Sequence, residues 1–364
     1  MRKRRSPRLF VGITEVGDFT LRLSDGLRAL GCQVTNVVMA TDKPVLRRED
    51  SHDRYIDASG RYRRYFRLMR EFARAAATHD TFIFSFASSF SGGLLQSRKR
   101  IFRALAFRDL AILRALGKKI VIVAQGSDLR SLTMLVRDMH RAGLGELAKY
   151  VEADIDPTYG GSDDYKRTKA QRIERHADFI FARPNSAQLL TRDYSLVWLP
   201  VRLDRLKYSV PNNEIPYVVH APTSRVVKGT KYILEACERL KQEGIRHKLI
   251  LCEGMDNRRV REVLTQADIV VDQVILPGYG LFALEAMGSG CAVVGSAYPE
   301  YNGNPADLPI LTATPDTIYE KLRLAIFDRE LRIGLAQRGR AYVEEHHDHV
   351  QVAKSFLREI GERV

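Results

Sequence analysis

"LPGYGLFALEAMGSGCAVVGS", residues 276–296, is the stretch on which the fold turns. The run "ADIVVDQV" leads into it, and "CAVVGSA" lies at its far end. Both runs are short, apolar and rich in valine, as buried strands are. Between them residues 281–289 read as a helix, entered through Pro277-Gly278-Tyr279-Gly280. Strand, glycine-rich turn, helix and strand make the repeating unit of a parallel sheet covered on both faces. One carboxylate, Glu285, interrupts the apolar helix.

The same alternation extends toward both ends of the chain. Before the stretch come "PYVVHAPT" (216–223), the long helical pattern "GTKYILEACERLKQEG" (229–244) and "HKLILCEG"; after it comes "LPILTAT". An earlier series holds "RLFVGI" (8–13), the helical "FTLRLSDGLRALG" (19–31), "CQVTNVVM", "TFIFSF" (81–86), "KIVIVAQG" (119–126), "DFIFARP" (178–184) and "YSLVWLP" (194–200). The polar, proline-bounded segment "RLDRLKYSVPNNEIP" (202–216) separates the two series and reads as a linker. The expectation is α/β: two Rossmann-like, doubly wound domains facing each other across a cleft. Residues 1–205 form the first, 206–345 the second, and a C-terminal helix (346–364) returns to the first. Ligands of such sheets bind outside the carboxyl ends of the strands.

A chain of 364 residues exceeds what one core usually serves, and 45% hydrophobic residues suffice for packed domains. The formal net charge of +14 favours anionic partners: nucleic acid, anionic lipid or phosphorylated small molecules. No aromatic-basic interleaving or nucleic-acid module accompanies the charge, so no nucleic-acid partner is expected. The four cysteines, Cys32, Cys237, Cys252 and Cys291, form no close pair, which argues against a zinc site or disulfide framework and fits a reducing compartment. The basic head "MRKRRSPR" precedes an apolar run too short for a signal peptide, and no membrane-spanning stretch follows. The expected location is cytoplasmic, with peripheral contact to the inner face of a membrane.

Two constellations carry chemistry. In the first, Gly278 and Gly280 permit unusual backbone angles and close approach of a ligand. The helix start that follows offers free N–H groups and a positive dipole end, a seat for phosphate. Glu285 lies one turn inside and its side chain leans back toward that start, where it can accept from hydroxyl groups. A ribose carrying a diphosphate presents both groups; a buried base paired with Glu285 and glycines serving a tight turn explain the spacing equally. In the second, "HAPTSRVVKGTKYILEA", Arg225 and Lys228 lie in a polar loop and Lys231 just inside the helix. A lysine beside a glycine at a helix start can clasp phosphate; a solvated basic loop is the plainer alternative.

Taken together, these stretches resemble the carboxyl-terminal domain of GT-B glycosyltransferases of the large retaining, family-4-like group. That group carries a lysine-glycine at one helix start and a glycine-rich turn followed by "EAM", a small residue, glycine and an apolar strand. Here these are Lys228-Gly229 and "GYGLFALEAMGSGCAVV". More loosely, "GKKIVIVAQGSDLR", "ADFIFARP" and "WLPVRLDRL" resemble the amino-terminal domain. The resemblance implies a glycosyltransferase with a nucleoside diphosphate sugar, UDP or GDP type, as donor substrate and no tightly bound cofactor. The acceptor it implies is a saccharide or lipid-linked, in envelope polysaccharide or glycolipid synthesis. Glu285 would hold the donor ribose. Lys228 with Arg225 would neutralise the departing diphosphate. The turn Gly278, Tyr279, Gly280 and Leu281 would hold sugar and phosphate.

Departures from the group's pattern are local. Pro277 stands where the group carries a further glutamate, eight residues before Glu285. Asp272 and Gln273 are then the side chains left to contact the sugar. Gln125 replaces the histidine that often precedes "GSD". A protein of this fold that binds nucleotide-sugar or glycan without turnover is the second hypothesis. "GITEVGD" (12–18) borders the acceptor site or is an ordinary loop, and it lacks the dinucleotide fingerprint. "HHDH" (346–349) reads as a solvated helix start rather than a metal site, and no acidic pair reads as a divalent-metal clamp, so metal-independent chemistry is expected. Residues 61–77 place Tyr65, Leu68, Met69 and Phe72 on one helical face with arginines around them. Such a helix either lies on anionic lipid or packs on the sheet with a basic outer face.

Overall fold

Twelve parallel strands, counted among the described residues, set the architecture. The protein is known here from a computed structural model that describes residues 7–39, 52–57, 59–210, 212–298, 301, 303 and 306–362. The basic head, residues 1–6, lies outside them. In the first sheet, β1 (Arg8–Ile13), β2 (Gln33–Met39), β3 (Arg54–Ile56), β4 (Thr81–Ser85), β5 (Lys119–Val123), β6 (Phe179–Ala182) and β7 (Ser195–Leu196) run in the order β3-β2-β1-β4-β5-β6-β7. In the second, β8 (Tyr217–His220), β9 (Lys248–Leu251), β10 (Ile269–Val271), β11 (Ala292–Gly295) and β12 (Ile310–Thr312) run in the order β12-β11-β10-β8-β9. Each order reverses once, at β1/β4 and at β8/β10. Those reversals are the topological switch points where doubly wound sheets open a crevice.

The strands are apolar because helices cover both faces. Leu9, Phe10, Val11, Phe82, Ile83 and Phe84 have no measurable exposure, and neither do Val218, Val219, Ile269, Val270 and Val271.

The chain forms two compact units. The first holds Met1–Ser131, Thr158–Pro200 and His349–Val364, and the second Leu132–Pro157 and Val201–Asp348. Residues 132–157, which the sequence grouped with everything before 205, cluster with the second unit. Their helices, Leu132–Arg141 and Gly145–Asp154, bring Leu135, Met139, Leu147 and Val151 into one core with Ile233, Leu240 and Leu322. The last helix, His349–Glu359, belongs to the first unit. Phe356 stacks on Phe181 at 4.3 Å between ring centroids, and Ala353 joins the core of Leu9, Phe19 and Leu23.

The start of the 202–216 segment packs against the second unit's core. Leu203 and Leu206 lie so close to Gly288 that a β-carbon there would come within 3.1 and 2.7 Å of them, which is why the helix Leu281–Ser289 ends in small residues. Cys237, Cys252 and Cys291 are buried and Cys32 half-buried, all as free thiols, and burial pushes Cys237 up to about 12. Among the described residues no helix is long and apolar enough to cross a membrane.

Candidate functional site

At the switch point of the second sheet, β8 and β10 are hydrogen-bonded neighbours, with His220 opposite Val271. His220 is fully buried. Its Nδ1 lies 2.8 Å from the Val271 carbonyl and its Nε2 2.9 Å from Thr230 Oγ1. A carbonyl only accepts, so Nδ1 carries the proton and Nε2 accepts from the threonine. Burial, reinforced by the nearby Lys228 charge, lowers the ring to about 4 and keeps it neutral. His220 ends the strand within the run "PYVVHAPT", and the sequence alone assigns it no role. Its signal was a polar ring at the end of an otherwise apolar run.

Past β8 the chain forms a single helical turn, Arg225–Lys228, capped by the Ser224 hydroxyl. Gly229 then adopts a left-handed conformation, φ 71°, and a β-carbon there would lie 2.6 Å from Val274 Cγ2. Only glycine meets both demands. The turn directs Lys228 inward, so its side chain is 13% exposed where an exposed loop was expected. Its ammonium donates to Asp272 Oδ1 at 2.5 Å and to Gln273 Oε1 at 3.0 Å. Three residues picked from separate stretches, Lys228, Asp272 and Gln273, therefore meet.

The second carboxylate oxygen of Asp272 accepts the Gly280 N–H at 3.0 Å. Gly280 is the N-cap of Leu281–Ser289, and no side chain caps that helix. One buried carboxylate thus bridges an ammonium and an amide at a helix start. The donors that a phosphate requires converge at this point, and Asp272 occupies them. Gln273 holds the turn from the other side: its Nε2 donates to the carbonyls of Leu276 and Gly278 at 3.0 and 2.9 Å. Gly278 N donates to the Ser296 carbonyl at 2.7 Å. The glycine-rich turn is a fixed cradle. Within it Pro277, Gly278 and Tyr279 are buried, while Gly280 and Leu281 keep partial exposure.

Glu285 is 5% exposed, between Leu284 and Ala286 in the helix, and interacts within the protein. Tyr279 is 8% exposed, and its hydroxyl lies 3.0 Å from His347 Nε2 and 3.2 Å from the Tyr342 hydroxyl. "HHDH" thus supplies an anchor for the turn through His347. Among the described residues no group of three His, Cys, Asp or Glu side chains gathers as a metal site. Arg225 does not join Lys228; its guanidinium grips both oxygens of Glu253 at the surface, which holds the Glu253 carboxyl below its ordinary range. Lys231 turns to Asp154 at 2.7 Å.

Gln125 lies in the first unit, two residues past β5. Its backbone N–H donates to Asp128, and both polar atoms of its side chain are buried without a hydrogen bond. In "GITEVGD", Glu15 accepts from Thr20 and Leu21 and caps the helix Phe19–Ala29.

No protein-family model and no curated protein sequence matches the chain. Solved structures do. Sucrose-phosphate synthase from Thermosynechococcus elongatus is 12% identical over 98% of both chains, with a TM-score of 0.64. The MnaA–UDP structure from S. aureus is 13% identical over 98% of this chain and 96% of that one, TM-score 0.52. The glycosyltransferase SnogD from Streptomyces nogalater is 13% identical over 98% and 100%, TM-score 0.50. At such identities the likeness is one of fold, and the fold is GT-B: two Rossmann-like α/β units.

Proposed function

We propose that the chain is a glycosyltransferase that moves a sugar from a nucleoside diphosphate donor, of UDP or GDP type, to a saccharide or lipid-linked acceptor in envelope polysaccharide or glycolipid synthesis. One observation carries the reading: Lys228 and the Gly280 amide converge on a single buried carboxylate at the switch point of the second sheet. The fold adds support by analogy, since one structure of this fold is a glycosyltransferase and another is a complex with UDP.

In this reading the diphosphate takes the donors that Asp272 now holds. Lys228 and the helix start stabilise the charge that develops on the leaving phosphate, and Arg225 contributes from the rim. Glu285 accepts from the ribose hydroxyls. Gln273 and the displaced Asp272 face the sugar in place of the glutamate that Pro277 replaces. The resemblance carries retention of configuration and metal-independent chemistry into the proposal. A thermal-shift panel of nucleoside diphosphates and their sugars tests it. A ligand at a hundred times its dissociation constant stabilises the fold by about 2.7 kcal/mol. A panel without any shift would end the reading.

Pro277 favours a second reading, binding without turnover. Release of free sugar from the bound donor separates the two: hydrolysis supports the enzyme, and donor binding with no hydrolysis or transfer supports the binder.

A further inference from the structure

The switch point of the first sheet has a cavity of its own. A cavity of about 260 Å³ opens at the ends of β1 and β4, lined by Thr14, Phe86, Ser88, Arg64 and Lys169 among others. Lys169 is 7% exposed. An ammonium has three donors; among the described residues one hydrogen bond runs to the Phe86 carbonyl at 3.2 Å, and the ammonium lies 5.4 Å from the Phe86 ring centroid. That carbonyl belongs to a strained segment: Phe86 and Ala87 are consecutive non-glycine residues in the left-handed region, φ 58° and 43°. A buried, under-occupied ammonium facing a cavity calls for an anion. Burial lowers the Lys169 pKa, and an anion in the cavity would restore it.

A second cavity of about 730 Å³ adjoins the first, and Tyr65 and Gln96 line both. Its walls are apolar: Met69 and Phe72 from the helix Arg61–Thr78, with Leu94, Phe102, Leu105 and Ile112 opposite. Arg98, Lys99 and Arg108 also line it. One acid lines it, Asp109. Its carboxyl accepts from Ser89 and Ser91, and burial pushes it up toward the neutral form that suits an apolar site. The apolar face read from the sequence packs in part, with Leu68 3% exposed and the Phe72 ring centroid 5.5 Å from that of Phe90, and its residues Tyr65, Leu68, Met69 and Phe72 also line cavities. The two cavities share Tyr65 and Gln96 as lining residues; the smaller carries Lys169 and Arg64, and the larger is mainly apolar.

We propose that the first unit binds a single-chain anionic amphiphile, its hydrocarbon chain in the larger cavity and its phosphate-class head group on Lys169 and Arg64 in the smaller. The cavity volumes fall within the few hundred to about 1,000 Å³ of small-ligand sites or just below it, and Lys169 and Arg64 in the smaller cavity complement an anionic head. The role of this amphiphile as acceptor rests on the glycosyltransferase reading; its binding does not.

Calorimetric titration of the full chain below micellar concentrations tests the site with three probes: dodecyl phosphate, dodecyl maltoside and inorganic phosphate. Dodecyl phosphate binds one to one, at least about tenfold tighter than either of the others, because only it fills both cavities. Met69→Glu and Ile112→Glu replace residues 39% and 47% exposed, so the fold tolerates them; each weakens dodecyl phosphate by about tenfold or more. Lys169→Gln abolishes the preference for the charged head. Arg64→Gln, at a half-buried position, reduces that preference and keeps the test open should the lysine variant fold poorly. Equal affinity for the charged and neutral amphiphiles overturns the proposal, as does undiminished dodecyl phosphate binding by the Met69 and Ile112 variants. No nucleotide is present, so such a failure leaves the donor assignment standing, and absent nucleotide binding would leave this result untouched.

Discussion

Lys228 Nζ lies 2.5 Å from Asp272 Oδ1, and the same carboxylate accepts the Gly280 amide at 3.0 Å. The two cation-like groups at this helix start are therefore already neutralised. A diphosphate entering here competes with a side chain rather than filling an empty seat. Replacing a buried ion pair is energetically near neutral, whereas removing one partner is costly. The pair is thus better read as a held position for Lys228 than as a source of stability.

Asp272→Asn separates competition from contact. With the carboxylate gone, bare nucleoside diphosphate binds tighter by roughly 1 kcal/mol, about fivefold, since a like charge has left the site. The nucleotide-sugar gains less if, as proposed, Asp272 also faces the sugar. Calorimetry with both ligands decides it. Weaker binding of the bare diphosphate would mean that Asp272 assists the phosphate rather than occupying its place.

Lys228→Ala lowers nucleoside diphosphate affinity by about 1.5–3 kcal/mol, the usual worth of a charge-assisted contact. It also lowers the melting temperature, because Asp272, 2% exposed, is left as an unpaired buried charge. Adding Asp272→Asn restores the melting temperature but not the affinity. A double variant that regains binding would exclude Lys228 from the site.

The strands of both sheets were legible because buried parallel strands are continuous apolar runs: "TFIFSF" became β4 and "PYVVHAPT" became β8. β3 was not. It is three residues, "RYI", with no periodicity, and exists through pairing with β2. Lys228, Asp272 and Gln273 were legible as candidates, yet their meeting was not, because it depends on the left-handed turn at Gly229. Arg225, three residues from Lys228, was read as its partner and instead pairs with Glu253, a residue on another strand's loop. The anchoring of Tyr279 by His347 spans 68 residues, and no local pattern encodes it.

His220 gives a pH signature. Its pKa falls from 6.5 to about 4 on folding, so the unfolded chain binds the proton more readily. The contribution is complete above pH 6.5, shrinks as pH falls toward 4, and amounts to roughly 3 kcal/mol. His220→Gln keeps a donor and an acceptor but does not titrate. Chemical denaturation at pH 7 and pH 4.5 should show a larger loss for the wild type than for this variant. Equal losses would mean that the ring is not held neutral.

The peripheral membrane contact expected from the sequence would draw on exposed apolar residues such as Phe66 and Ile101, 73% and 69% exposed. Flotation with anionic vesicles recovers the protein, and recovery declines as salt rises. Phe66→Ser with Ile101→Ser reduces it. Equal recovery with neutral vesicles would remove the idea.

The central claim is that Glu285 holds the ribose of a nucleotide seated at this helix start. A carboxylate accepts from both ribose hydroxyls, while an amide of nearly the same size has one acceptor oxygen. The direct measurement is the coupling energy in a cycle that combines Glu285→Gln with loss of a ribose hydroxyl from the nucleoside diphosphate. The account predicts a coupling of roughly 1.5 kcal/mol, with Glu285→Gln mattering for the ribonucleotide far more than for the deoxyribonucleotide. A coupling indistinguishable from zero, with a variant that simply melts earlier, would make Glu285 a structural residue and contradict the account.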